Sequence, residues 1–333
     1  MTLWIIILFV LLVFSFKKHK DIIYWISALI LILLAGLRDI SVGIDTSNYA
    51  LIFRVISHDG SSWVEPGWIF LNSMVSKFGG DFNALLILVH ALMIVPICLI
   101  YKKVSPNPMF SLFVYYALYI YLNSFNIMRQ TLAVSIVFIA LFCIQNKQIL
   151  LSILIIFIAS SIHISALIVL PMVFFDKFSI NNHYIVYTLL LISIFVGFIL
   201  NENAFRIIAL QYSGHLDTVH GFRNNYISAF LLSVVITILF VYFYNKTDDN
   251  LKNNIFFKAF FISVVLNNVI FKLALGTRLT MYFTIAQTIV YPFFFDKKYM
   301  QSKWLIILYL CAIFLKIAIM GGDLVCPEYK FAD

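Results

Sequence analysis

Long apolar stretches separated by short polar connectors run almost the whole length of the chain. They predict about twelve helices, several of them short. The stretches are Thr2–Phe16, Ile22–Leu37, Asn83–Tyr101, Met109–Asn123, Gln130–Ile144, Ile149–Ser161, Ile164–Phe175, Tyr184–Leu200, Tyr226–Tyr244, Ile255–Phe271, Leu279–Phe295 and Lys303–Ile319. Alternation of apolar and polar positions is weak, which argues against a transmembrane barrel of strands. The pattern therefore predicts an all-α, polytopic integral membrane protein forming a single transmembrane domain over residues 1–333. Thr2–Phe16 lacks a basic leader and a small-residue cleavage site, so it is expected to be a retained span. Two connectors are long, Arg38–Asp81 and Asn201–Asn225, and loops of such length without repeats are usually functional. In the first, Trp63, Trp68 and Phe70 suggest short helices lying on the membrane surface.

Composition sharpens the class. Of 333 residues, 63% are hydrophobic and 11% charged, a balance that no soluble domain of this length needs. Cys98, Cys143 and Cys311 fall inside predicted spans and Cys326 stands alone in the tail, so neither a disulfide framework nor a metal site is expected. The net charge of +8 would suit nucleic acid if it were clustered, but it is spread through short connectors: Lys17, Lys18 and Lys20; Lys102 and Lys103; Lys147; Lys177; Lys246 and Lys252; Lys297, Lys298 and Lys303. Placing those connectors in the cytoplasm satisfies the positive-inside rule, with both termini and both long loops outside. That count favours two short segments turning at Ser160–His163 over one kinked helix across residues 149–175.

In this topology all six arginines, Arg38, Arg54, Arg129, Arg206, Arg223 and Arg278, fall on the outer side. A guanidinium is a rigid fork that matches phosphate or carboxylate oxygens, whereas lysine suffices as a topology charge. Loop ion pairing is one explanation of this asymmetry; an anionic ligand entering from the outer leaflet is the other. The stretch Asn123-Ser-Phe-Asn126-Ile-Met-Arg129-Gln130 lies between two apolar runs, where a charge at a helix centre costs roughly 2.5–3.5 kcal/mol. If it is helical, Asn123, Asn126 and Gln130 share one stripe bordered by Arg129. That stripe forms either a polar clamp between helices or one wall of an anion site.

Other constellations supply candidate chemistry. Asp45 follows Gly43 in a turn-forming stretch and can cap a helix, orient an arginine or accept a proton. Glu65, before Pro66 and Gly67, is the other outer-loop carboxylate, and Pro66 allows a helix start there. His163 lies at an outer-side turn among Ser160, Ser161 and Ser165, suited either to a plain hydrogen bond or to proton transfer. His90, mid-span, reads as a buried polar contact, and His215 and His220 lie in the second long loop. Arg278 and Tyr282 are spaced four apart, so on a helix both can reach one ligand. Asn267 and Asn268 precede them at membrane depth, and Asp248-Asp249 reads as a solvated cytoplasmic pair. No HExxH, CxxC, GxGxxG, P-loop or GxSxG pattern occurs, so no cofactor or metal is expected.

The order Gly36-Leu-Arg38, Val42-Gly43-Ile-Asp45-Thr46-Ser-Asn-Tyr49, Glu65-Pro-Gly67, Asn126-Ile-Met-Arg129-Gln130-Thr-Leu-Ala133 and His163-Ile-Ser-Ala166-Leu resembles the EpsG-like branch of the Wzy-type polysaccharide polymerases. The resemblance covers roughly residues 20–300, most clearly the first half. It implies a GT-C-like, inverting, metal-independent glycosyltransferase of the bacterial inner membrane. Such an enzyme joins undecaprenyl-pyrophosphate-linked repeat units into O-antigen or a related surface polysaccharide at the periplasmic face. Donor and acceptor lipid-linked oligosaccharides, membrane lipid and a chain-length regulator protein are the partners it implies; nucleic acid is not among them. Arg129 and Arg278, with Arg38, would neutralise the leaving pyrophosphate, and His163, Asp45 or Glu65 would take the acceptor's proton. Gln130, Asn126, Tyr282, Arg206 and Arg223 complete the expected substrate contacts. The alternatives are a ligase that moves finished glycan to a lipid acceptor and a lipid-linked-sugar flippase; a flippase would need an inward-facing cationic path and an internal repeat, and the sequence has neither.

Overall fold

The computed structural model describes residues 1–17, 21–60, 62–175, 177–200, 226–273, 276–295, 300–322 and 326–332. It is 79% helical, and among the described residues there is no strand. In chain order the helices are α1 Thr2–Ser15, α2 Asp21–Gly36, α3 Thr46–Asp59, α4 Pro66–Lys77, α5 Phe82–Val104, α6 Pro108–Ala117, α7 Ile120–Asn123, α8 Met128–Gln145, α9 Ile149–Ile162, α10 Met172–Phe175, α11 His183–Ile199, α12 Ile227–Lys246, α13 Asp249–Lys252, α14 Ile255–Ile270, α15 Gly276–Thr284, α16 Gln287–Val290 and α17 Met300–Gly321. Two 3₁₀ segments, Ile164–Val169 and Tyr291–Phe295, join them.

Polar residues at the predicted edges start these helices. Asp81 accepts from the Ala84 amide at 2.8 Å to cap α5, and Asn107 from the Phe110 amide at 3.0 Å, with Pro108 in the first turn of α6. Asp248, expected to be merely solvated, caps α13 through the Leu251 amide at 2.9 Å. Among the described residues four helices are long and apolar enough to cross a membrane: α5, α8, α12 and residues 301–321 of α17. Seven more apolar segments are shorter, among them α1, α2, α6, α9, α11 and α14.

Three of the predicted spans are broken, the first of them 164–175, which becomes the 3₁₀ segment Ile164–Val169 and α10. The run 109–123 is divided by Tyr119, whose backbone is left-handed at φ 69°, into α6 and α7. The run 279–295 becomes α15, α16 and a 3₁₀ segment. Hydropathy registers none of these breaks, because the side chains around them are as apolar as those of an unbroken span. The predicted turn before His163 is present: α9 ends there in extended backbone (φ −156°, ψ 115°), and the 3₁₀ segment Ile164–Val169 packs back against α9.

The chain forms two compact units, residues 1–170 with 287–333, and residues 171–286. In the first, α2, α5, α8 and α9 pack in succession, and α1 lies on α6. Of the four long apolar helices, α8 is the most enclosed, with 72% of its apolar window buried. The ends of this unit carry different cations. At one end Lys102 pairs with Asp21, and Lys303 lies over the rings of Phe16 and Phe295 at 4.4 and 4.3 Å. At the other end are Arg38, Arg129, α3 and α4. In the second unit α11, α12 and α15 pack on α14. There Asn268 donates to Ser193 Oγ at 3.1 Å and accepts from Thr237 Oγ1 at 3.1 Å, a polar clamp across three helices.

Candidate functional site

Three ionisable side chains meet where α4, α8 and α9 converge. Glu65 is the residue before α4, and its carbonyl accepts from the Trp68 and Ile69 amides at 3.0 and 3.1 Å. Pro66 then supplies the first-turn geometry. Gly67 explains the rest of the Glu-Pro-Gly run: a Cβ there would lie 2.5 Å from Ser161 Oγ and 2.8 Å from the Ser161 carbonyl. Absence of a side chain lets the start of α4 touch the end of α9, which brings Glu65 to His163. Arg129 projects from the first turn of α8.

The Glu65 carboxylate is shared. Oε2 pairs with Arg129 Nη1, and Oε1 faces His163 Nδ1 at 2.9 Å. The three side chains are 19%, 26% and 27% exposed in the order Glu65, Arg129, His163, enclosed but reachable. Burial raises the Glu65 carboxyl, but the hydrogen bond to His163, its backbone bond and the charge of Arg129 outweigh it and hold the group at about 2. The carboxylate is therefore ionised throughout the physiological range. It fixes the imidazole through Nδ1 and leaves Nε2 as the ring atom that can take a proton.

Tyr49 belongs to this group although residue type alone did not single it out. It is 7% exposed, its ring meets Trp68 edge-on at 5.6 Å, and it hydrogen-bonds Arg129. Its sequence signal was the spacing of four from Asp45, which puts both on one side of the start of α3. Burial raises the Tyr49 phenol and Arg129 opposes the rise.

The sequence model of the EpsG family matches residues 21–327, from α2 into the C-terminal segment. The chain belongs to the EpsG family. That family comprises membrane proteins resembling exopolysaccharide and O-antigen polymerases. No curated protein and no solved structure matches the chain.

The remaining expected residues of this EpsG-family chain divide by position. Asp45 stands at the N-cap of α3 without a side-chain capping bond, and its charge acts on Tyr49, so it lies at the edge of the cluster. Asn126 and Gln130 do not share a helical stripe with Asn123, because α7 stops at Asn123 and α8 begins at Met128. Asn126 Oδ1 instead accepts from the Ile44 amide at 2.8 Å, and Thr46 Oγ1 bonds the Phe125 carbonyl at 3.2 Å. Gly43, at φ +100°, lets this loop lie on residue 125, where a Cβ would meet the Phe125 carbonyl at 2.9 Å. Gln130 is buried at 5% exposure. Arg38 lies in the same unit, fully buried. His90 bonds the Leu86 carbonyl at 2.7 Å and Ser124 Oγ at 3.1 Å, the buried polar contact expected of it. Arg278 and Tyr282 are on α15 of the second unit, Arg278 exposed and Tyr282 fully buried. Arg206, Arg223, His215 and His220 lie outside the described residues. Among the described residues no three His, Cys, Asp or Glu side chains gather as metal ligands.

Proposed function

We propose that this protein is an inverting, metal-independent glycosyltransferase of the GT-C-like class that polymerises undecaprenyl-pyrophosphate-linked oligosaccharide repeat units into O-antigen or a related surface polysaccharide. The site faces the periplasm of a bacterial inner membrane, where Arg129 meets a diphosphate leaving group. The observation that carries the reading is the Glu65 carboxylate divided between a cation and an imidazole, Arg129 and His163, in a chain of the EpsG family.

The division of labour follows from the chemistry. An acceptor hydroxyl oxygen attacks the anomeric carbon of the donor, and the bond from that carbon to the pyrophosphate oxygen breaks. His163 Nε2 takes the hydroxyl proton, with Glu65 stabilising the imidazolium that forms. Arg129 answers the negative charge developing on undecaprenyl pyrophosphate as it departs. The energy of that bond replaces nucleotide hydrolysis.

Purified protein supplied with lipid-linked repeat units in detergent tests the proposal, since an enzyme elongates without a membrane and a flippase does not. Wild-type protein should yield a ladder of products, and His163→Ala and Arg129→Ala should yield starting material. Full ladders from both variants would refute the assignment, and full-length glycan moved onto a lipid acceptor instead would make the protein a ligase.

A further inference from the structure

Arg38 occupies a place where a cation is hard to keep. Its side chain is fully buried, Nη1 donates to the Ala35 carbonyl, and the guanidinium carbon lies 4.3 Å from the centre of the Phe125 ring. Nε and Nη2 are buried without a hydrogen-bond partner. Each such donor forgoes its hydration with no bond in return, a loss that is larger for a charged group.

The C-terminal segment, residues 326–332, runs beside Arg38, with Tyr329 among the residues near its guanidinium. The Asp39 amide donates to the Lys330 carbonyl at 2.9 Å and the Ala332 amide to the Leu37 carbonyl at 3.0 Å, so Arg38 and Phe331 face each other across an antiparallel bridge. Trp4 Nε1 holds the Pro327 carbonyl at 2.8 Å, and the Tyr119 hydroxyl meets Cys326 Sγ at 2.9 Å. Tyr329 packs edge-on against Trp4 at 5.8 Å, and its hydroxyl is another buried group without a partner.

This cover is lightly held at its outer end, where Phe331 is 65% exposed. Its two backbone bonds there contribute little each once exchange with water is counted. Lifting residues 329–332, with Pro327 and Cys326 still held by Trp4 and Tyr119, would exchange these bonds and the Tyr329–Trp4 contact for hydration of two guanidinium donors and a phenol. Tyr49, which hydrogen-bonds Arg129, lies on α3, whose Thr46 bonds the Phe125 carbonyl while Arg38 lies over the Phe125 ring. One helix thus links the buried cation to the Glu65–Arg129–His163 cluster.

We propose that the outer end of this segment, residues 329–332, is a lid: closed, it withholds Arg38 from the site, and lifted, it presents that guanidinium as a second group for a phosphate-class oxyanion beside Arg129. Only the consequence for elongation rests on the polymerase reading.

The test locks the lid. Residues 39 and 330 are facing neighbours in the bridge, about 5.5 Å apart at Cα in such pairs and within disulfide reach. The full chain carrying Asp39→Cys with Lys330→Cys is compared in detergent, oxidised and reduced, with wild type as the oxidant control. Modification of Arg38 by phenylglyoxal is followed by peptide mass spectrometry, with and without inorganic pyrophosphate. Reduced protein should be modified slowly, oxidised protein at least about tenfold more slowly, and pyrophosphate should protect the reduced form. Tyr329→Ala, which loosens the lid without a cross-link, should speed modification. Elongation of lipid-linked repeat units should stop on oxidation and return with dithiothreitol. An Arg38 that never reacts in wild type, reacts equally in both redox forms or gains no protection from pyrophosphate overturns the lid. So does full elongation by the locked enzyme. If no form elongates while the labelling pattern holds, the polymerase reading fails and the lid stands.

Discussion

Glu65→Gln is the sharpest perturbation of the cluster, because it keeps shape and removes one charge from between Arg129 and His163. Moving a carboxyl from its ordinary 4.5 to about 2 corresponds to roughly 3 kcal/mol at neutral pH. With a fifth of the side chain still reached by solvent, screening leaves about 1–2 kcal/mol, between the values for exposed and fully buried pairs. The variant should therefore melt a few degrees lower at pH 7. The sign of the pH dependence follows from the depressed carboxyl. Its stabilising contribution is complete above 4.5, where the unfolded chain also carries the charge, and declines as pH falls toward 2. The gap in melting temperature between wild type and variant should hold from pH 8 to 5 and lose more than half its size by pH 3. For elongation, an amide that turns its NH₂ toward Nδ1 leaves Nε2 protonated. The rate should then fall by about 10²–10³, within the range of general-base contributions. Melting by intrinsic fluorescence and ladder assays on the same preparations measure both. Equal melting at pH 7, or a gap that does not narrow in acid, would refute the shared carboxylate as a stabilising centre; equal elongation would remove Glu65 from proton transfer.

Three further outcomes follow from the geometry. Arg129→Lys keeps the charge but not the fork that reaches both Glu65 and Tyr49, so elongation should fall by about tenfold or more, measured beside Arg129→Ala. Gly67→Ala forces α4 off the Ser161 backbone; it should cost about 1–3 kcal/mol and lower elongation through displacement of Glu65, read as paired losses in melting temperature and rate. Asn126→Ala frees the Ile44 amide and should cost about 1 kcal/mol while the apparent affinity for lipid-linked donor, measured by titration, changes less than threefold.

The membrane class and the sites of charge were legible in the sequence because both rest on large energies. Burying an arginine near hydrocarbon is expensive enough that Arg129 had to have a partner, and two outer carboxylates and one histidine were the candidates; the structure joins Glu65 and His163 to it and leaves Asp45 at the edge. The Ser160–His163 turn was legible for the same kind of reason, the sidedness of Lys297, Lys298 and Lys303. What escaped was set by backbone events with no apolar signature. Tyr119 in a left-handed conformation lies in a run as hydrophobic as any other, and once α7 stops at Asn123 the stripe expected of Asn123, Asn126 and Gln130 cannot form. Asn126 then serves the loop 42–46, a contact between residues more than eighty apart. The cover on Arg38 escaped more completely, since the pairing of residues 37–39 with 330–332 joins opposite ends of the chain and leaves no local periodicity. The same contacts unite these findings: Phe125 carries the Thr46 hydrogen bond on its carbonyl and the Arg38 cation on its ring. A shift in the loop at Gly43 therefore reaches Arg38 through one residue, and the turn between α7 and α8 couples the loop 42–46, the buried guanidinium and the first turn that bears Arg129.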